Sequence, residues 1–198
     1  MEYIELHDKN KDTFSHRTYE LLLRICTEFE NNCSGILKDN GYSKKGNWNI
    51  KDYFKISSAS KLHEYEVSIN TWFPKPKEFR PFKDWGSNSF APLNWYQAYN
   101  NVKHNRSDMF HFASIENIIS ALGGLFVILN SQFGTYVFNQ YQMNIGFLRE
   151  DDGYMSTGES LFSIKYPTSW SKTDNITIDE KHFYKEVKPF QKYIFKNS

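Results

Sequence analysis

Net charge is almost absent from this sequence. Its 198 residues carry 24 Lys and Arg against 23 Asp and Glu, a formal charge of +1. That balance removes any global electrostatic case for coating nucleic acid, while leaving room for a local basic patch. Cysteine is scarce, at two residues, Cys26 and Cys33. On one helix, seven positions apart, their Cα atoms would lie about 10.5 Å from each other. A disulfide tolerates ~7 Å, so the pair reads as two buried thiols on one helix face. No CxxC or nearby His suggests a metal site. Proline is scarce too, and four of its six residues (Pro74, Pro76, Pro81, Pro92) fall within 74–92. Long hydrophobic runs are missing. The longest, Ile118 to Leu129, includes Ser120, Gly123 and Gly124. A spanning helix needs ~20 apolar residues, so the run reads as a buried core helix. The N-terminus MEYIELHDKNKD lacks the apolar stretch of a secretory signal. These features predict a cytoplasmic protein with no membrane partner.

Aromatics, by contrast, are abundant: 5 Trp, 13 Tyr and 17 Phe. Two explanations stay open. Lys, Asn, Phe and Tyr share A/T-rich codons, and 19 Lys against 5 Arg with 18 Asn fits that bias. The alternative is an aromatic binding surface. The length and apolar content suit one domain with a real core and exclude disorder.

Apolar periodicity predicts the elements. Tyr19, Leu22, Leu23, Cys26, Phe29, Cys33, Ile36 and Leu37 recur at spacings of three and four, predicting a long amphipathic helix over about 14–39. It is preceded by N-cap candidates in Asp12-Thr13-Phe14-Ser15 and stopped at Asn40-Gly41. A shorter helix is expected near 50–62. Residues 65–72 alternate like a strand, and 74–92 must be a structured connection. A helix with an aromatic face begins near Asn94. A second long helix is expected over about 114–139. Its Ala121-Leu122-Gly123-Gly124 stretch removes side-chain bulk, so a partner helix, from this chain or a second copy, is expected there. Beyond 140 the pattern weakens. Arg149 to Gly153 reads as an acidic turn, 161–166 as a strand and 179–193 as a short helix broken by Pro189. The whole is predicted to be mainly α, a single domain over 1–198 with a helical core over about 14–139 and a mixed extension over about 140–198.

The densest polar constellation is WYQAYNNVKHNRS, residues 95–107. On one helix, Tyr99, Lys103 and Arg106 would share a face, and Asn100 and His104 the adjacent one. Cations hold phosphate oxygens, and an imidazole moves a 2′-hydroxyl proton. The structural alternative is that Asn100 and His104 lock the proline-rich connection onto the bundle. A second candidate is 71–85, where five aromatics interleave with four cations. Stacking plus phosphate neutralisation is how single strands are held, although rings between prolines also serve to pin a loop. His7, His16, His63 and His182 show no metal-ligand spacing. Asp151-Asp152-Gly153 starts no EF-hand, and the glycines and serines form no P-loop or nucleophile elbow. No cofactor and no metal are expected.

The element YNNVKHNR, preceded by Trp95-Tyr96 and followed by ASIENIISALGGLFVIL, resembles the HEPN superfamily (higher-eukaryote and prokaryote nucleotide-binding). It is also similar to bacterial proteins carrying a WW-x-x-YN-x-VKH-x-R element, for which no activity is assigned. The resemblance covers roughly 14–139. It implies a helical bundle, often dimeric, and for many members metal-independent ribonuclease activity in toxin and defence systems. The family hallmark is Arg, a polar residue, a short gap, then His. In one register Asn100 and His104 match and Tyr99 replaces the Arg; in the other Arg106 and His111 match, with Ser107 as the polar residue. The implied roles are catalytic for Asn100, His104 and Arg106, and substrate-binding for Lys103, Tyr99 and Trp95. The implied partners are RNA and a second copy of the chain. The rival reading is a non-catalytic interaction protein, with Tyr99, Asn100, His104 and Arg106 forming a structural polar network.

Overall fold

The computed structural model describes residues 4–87, 89–134, 148–149, 153–156, 160–170 and 193–195. Helix α1 (His16–Asp39) begins at Ser15, whose Oγ accepts from the Thr18 amide while Thr18 Oγ1 accepts from the Ser15 amide. This reciprocal pair satisfies two donors that a helix start leaves without intrahelical partners. Leu22, Ile25, Cys26, Phe29, Cys33 and Leu37 form its buried face, the stripe that the 3–4 spacing predicted. The chain turns at Asn40-Gly41, with Gly41 at φ 79°. Helix α2 (Ile50–Ser60) is capped by Asn49, with Asp52 closing the box from the third position. Asp52 is buried, yet its carboxylate accepts from Tyr42 Oη at 2.8 Å, Lys44 Nζ at 2.9 Å and the Asn49 amide at 2.8 Å. The 40–49 loop is thereby tied to α2.

Strands β1 (Glu66–Ile69) and β2 (Lys77–Phe79) follow. Helix α3 (Asn94–His104), the one-turn helix α4 (Arg106–Met109) and helix α5 (Ile115–Phe133) complete the helical set. Three further short strands are β3 (Leu148–Arg149), β4 (Met155–Ser156) and β5 (Ser163–Lys165). The sheet is antiparallel in the order β2-β1-β5-β4-β3. Val67 sits between Phe79 on one side and Ile164 on the other.

The fold is mainly α, with α5 packed most extensively on α1 and also against α3. By length and composition α5 is apolar enough to cross a membrane, but 56% of that apolar window is buried inside the protein. It is the core helix expected from the apolar run. Its start is closed by Ser114 Oγ and by the preceding chain: the Ile115 amide donates to Thr13 O at 3.0 Å and the Glu116 amide to Lys11 O at 2.9 Å. Residues 135–139 of the predicted helix, most of the Arg149–Gly153 turn and residues 179–192 of the predicted C-terminal helix lie outside the described residues.

The expectation of a partner helix across the paired glycines is corrected in part. A Cβ on Gly123 would meet the Phe79 ring at 2.9 Å and Pro81 at 3.3 Å. One on Gly124 would meet the Trp95 indole at 2.9 Å. Helix α3 therefore covers only Gly124, while strand β2 and its following loop cover Gly123. Both glycines are thus covered from within the chain.

Candidate functional site

Helix α3 buries Trp95, Tyr96, Ala98, Tyr99 and Val102. Trp95 is a core side chain, its Nε1 donating to Pro81 O at 3.1 Å and its ring edge-on to Phe29. It is not exposed for substrate binding. Tyr96 Oη donates to Glu30 Oε1 at 2.6 Å, and Tyr99 Oη approaches Glu30 Oε2 at 3.4 Å. Lys103 Nζ donates to Tyr99 Oη at 2.8 Å and sits 4.8 Å from the Tyr99 ring centre. Carboxylate, two phenols and ammonium thus form one chain across the α1–α3 contact. Burial pushes the Tyr96 hydroxyl well above its usual range, and the Glu30 carboxylate adds to this. The hydrogen bond with Tyr99 holds Lys103 more firmly charged, against a smaller opposing effect of burial. Cys26 and Cys33 are free and buried, as their spacing predicted. Burial, then the nearby Glu30 charge, pushes both thiols far up, so neither is a ready thiolate nucleophile.

The single polar face expected from Tyr99, Lys103 and Arg106 does not form. Helix α3 ends at His104 because Asn105 takes φ −139°, ψ 66°, outside helical geometry. Arg106 therefore opens α4 and points elsewhere. Its Nη2 contacts His16 Nδ1 at 3.0 Å, and its guanidinium lies 4.8 Å from the Tyr19 ring centre and 5.7 Å from that of Phe110. An arginine only donates, so in this contact His16 Nδ1 is the acceptor. Among the described residues Arg106 has no carboxylate partner. Asn100, half-buried, and His104, exposed, lie one turn apart on α3, and neither side chain is hydrogen-bonded there to another described residue. In the other register, His111 stands exposed in the 3₁₀ turn Phe110–Phe112, its ring 4.4 Å from that of Phe112.

The 71–85 segment divides differently from the single-strand-binding expectation. Trp72, Phe82 and Trp85 are buried, and Phe73 is the exposed ring. Lys77 pairs with Glu116 and lies over the Trp72 ring, while Arg80 pairs with Glu66. The rings pin the connection onto the bundle and two of its four cations are neutralised. With Trp95, Tyr96 and Tyr99 also buried, these aromatics belong to the core.

Two residues were not anticipated for this region. Glu30 interrupts the buried face of α1 at the fourth position after Cys26 and three before Cys33; a carboxylate there signals buried donors opposite. His16 gave no such signal, since it meets Arg106 only through the tertiary fold. Comparison with family models, curated proteins and solved structures finds no significant match to this chain. The class that the fold defines is a mainly helical protein with a small antiparallel sheet.

Proposed function

We propose that the chain binds RNA at the α3–α4 corner and cleaves it as a metal-independent endoribonuclease, in the manner of the HEPN-like proteins it resembles. One observation carries this reading: the Arg106 guanidinium is packed on two rings and on His16, with no carboxylate partner among the described residues, two positions after the exposed His104 that ends α3. An anchored arginine lacking a counter-charge suits a phosphate. His104 takes the proton of the 2′-hydroxyl, whose oxygen attacks phosphorus. The bond to the 5′-oxygen breaks, that oxygen takes a proton from water, and a cyclic phosphate remains. Asn100, one turn earlier on α3, orients His104 only once substrate is bound. A second copy of the chain and a cytoplasmic site of action belong to the same reading.

A non-catalytic interaction protein is the second reading. It is favoured by Tyr99 in place of the motif Arg, and by the engagement of Tyr99 and Lys103 with Glu30. RNA incubated with the wild type, His104→Ala and Arg106→Ala in the presence of a chelator separates the two. Cleavage by the wild type that both variants lose is the expected result. Binding without cleavage by the wild type supports the second reading, and neither binding nor cleavage removes the RNA assignment.

A further inference from the structure

The corner that holds Arg106 also holds an exposed ring. Phe14 is 46% exposed. Its ring stands edge-on to Phe110, with centres 5.7 Å apart at 90°. Arg106 lies 5.7 Å from the same Phe110 centre, and the His16 ring 4.9 Å from it. Phe110 is thus a common floor, with guanidinium, imidazole and a half-open benzyl ring arranged around it.

The surroundings hold this arrangement in place. Phe14 bridges Ser114 in antiparallel fashion, and the neighbouring Thr13 carbonyl caps α5. The turn carrying Phe110 is tied by the Ala113 amide to Phe110 O at 3.0 Å and by Asn117 Nδ2 to Phe112 O at 2.9 Å. An aromatic side chain left half in water costs favourable burial. Here it costs that on a segment tied by those bonds, with a cation that has no carboxylate partner among the described residues packed on the same Phe110 ring.

We infer that Phe14 is the base-stacking surface of this corner, so that the site takes an unpaired nucleotide: base on Phe14, adjoining phosphate on Arg106. The inference rests on the RNA reading above and narrows it to single strands. Every base has a π-face, so stacking tolerates sequence, and a guanidinium beside the ring receives the backbone. A duplex keeps its bases stacked on one another, so their π-faces are not open to a side chain.

The test is binding of a short 2′-O-methyl oligoribonucleotide, which cannot be cleaved at its 2′ positions, measured by fluorescence anisotropy. The same strand as a perfect duplex and the same strand with abasic positions are compared. Phe14→Ala is expected to weaken single-strand binding by about ten- to a hundredfold, the usual effect of losing one stacking ring. Phe14→Tyr is expected to retain wild-type affinity, which guards against a folding artefact. Abasic strand is expected to bind wild type and Phe14→Ala alike. Arg106→Ala is expected to weaken every ligand. Equal single-strand affinity for wild type and Phe14→Ala overturns the stacking role and leaves the RNA reading standing. A wild type that prefers duplex overturns it as well. If the wild type binds none of the three, the RNA reading itself fails and this inference goes with it.

Discussion

Glycine to alanine inside a helix ordinarily stabilises a protein by roughly 0.5–1 kcal/mol, because glycine loses more backbone freedom on folding. Two glycines here should respond with opposite sign. Gly35 lies within α1, and a Cβ built on it meets nothing within 4 Å. Gly124 lies within α5, and its Cβ would stand 2.9 Å from Trp95 Cζ2 and 3.4 Å from Cε2 and Cη2. The indole cannot swing clear at low cost. Its nitrogen is bonded to Pro81 O, Phe29 is packed edge-on at 5.1 Å, and Phe82 lies 6.0 Å away. Overpacking of this kind costs ~1–3 kcal/mol. Set against the helix gain, Gly124→Ala should destabilise by about 1 kcal/mol, whereas Gly35→Ala should stabilise by roughly 0.5–1 kcal/mol. Urea unfolding followed by circular dichroism reads both changes as shifts in midpoint at constant slope. A Gly124→Ala variant as stabilised as Gly35→Ala would refute the claim that α3 packs on α5 through this gap.

Asp52 offers a pH signature. Burial pushes its carboxyl up, but hydrogen bonds from Lys44, the Asn49 amide and Tyr42 outweigh that and hold it below the usual range. Its contribution is therefore present above the unfolded-state pKa and lost as pH falls through the folded value. Asp52→Asn should cost about 2 kcal/mol at neutral pH, and the gap to wild type should close on acidification; a gap constant with pH contradicts the assignment. Tyr96→Phe should cost about 1–2 kcal/mol through loss of the charge-assisted bond to Glu30, yet leave RNA affinity unchanged. A loss of affinity at unchanged stability would instead make the Glu30 network part of the binding surface.

The helices were legible because each signal was local. The 3–4 stripe of α1, its serine cap and the glycine after Asn40 all lie within a few residues of what they specify, and the observed His16–Asp39 differs from the expected span by two residues at the start. Strand β1 and strand β5 fell inside the alternating segments 65–72 and 161–166. Strand β2 did not show, because three residues between prolines carry too short an alternation. The candidate site was legible in residue type and not in arrangement. Its expected face depended on one helix continuing through Asn105, and nothing before that residue announces the break. The partner of Arg106 lies ninety positions away on α1, a distance across which helical spacing says nothing. The aromatic excess misled for a related reason: composition counts rings, and only packing shows that most of those near α3 face inward.

The pairing of α1 with α5 has a consequence for synthesis. At ~5–20 residues per second, the ribosome takes several seconds to go from the end of the first of these helices to the end of the other. Throughout that interval the part of the α1 surface that α5 covers is left open, although Phe29 already meets Tyr53, Phe82, Trp95 and Tyr96. Premature termination before Phe133 should therefore yield aggregates rather than a smaller folded unit, because the largest helix-helix contact of the fold cannot form.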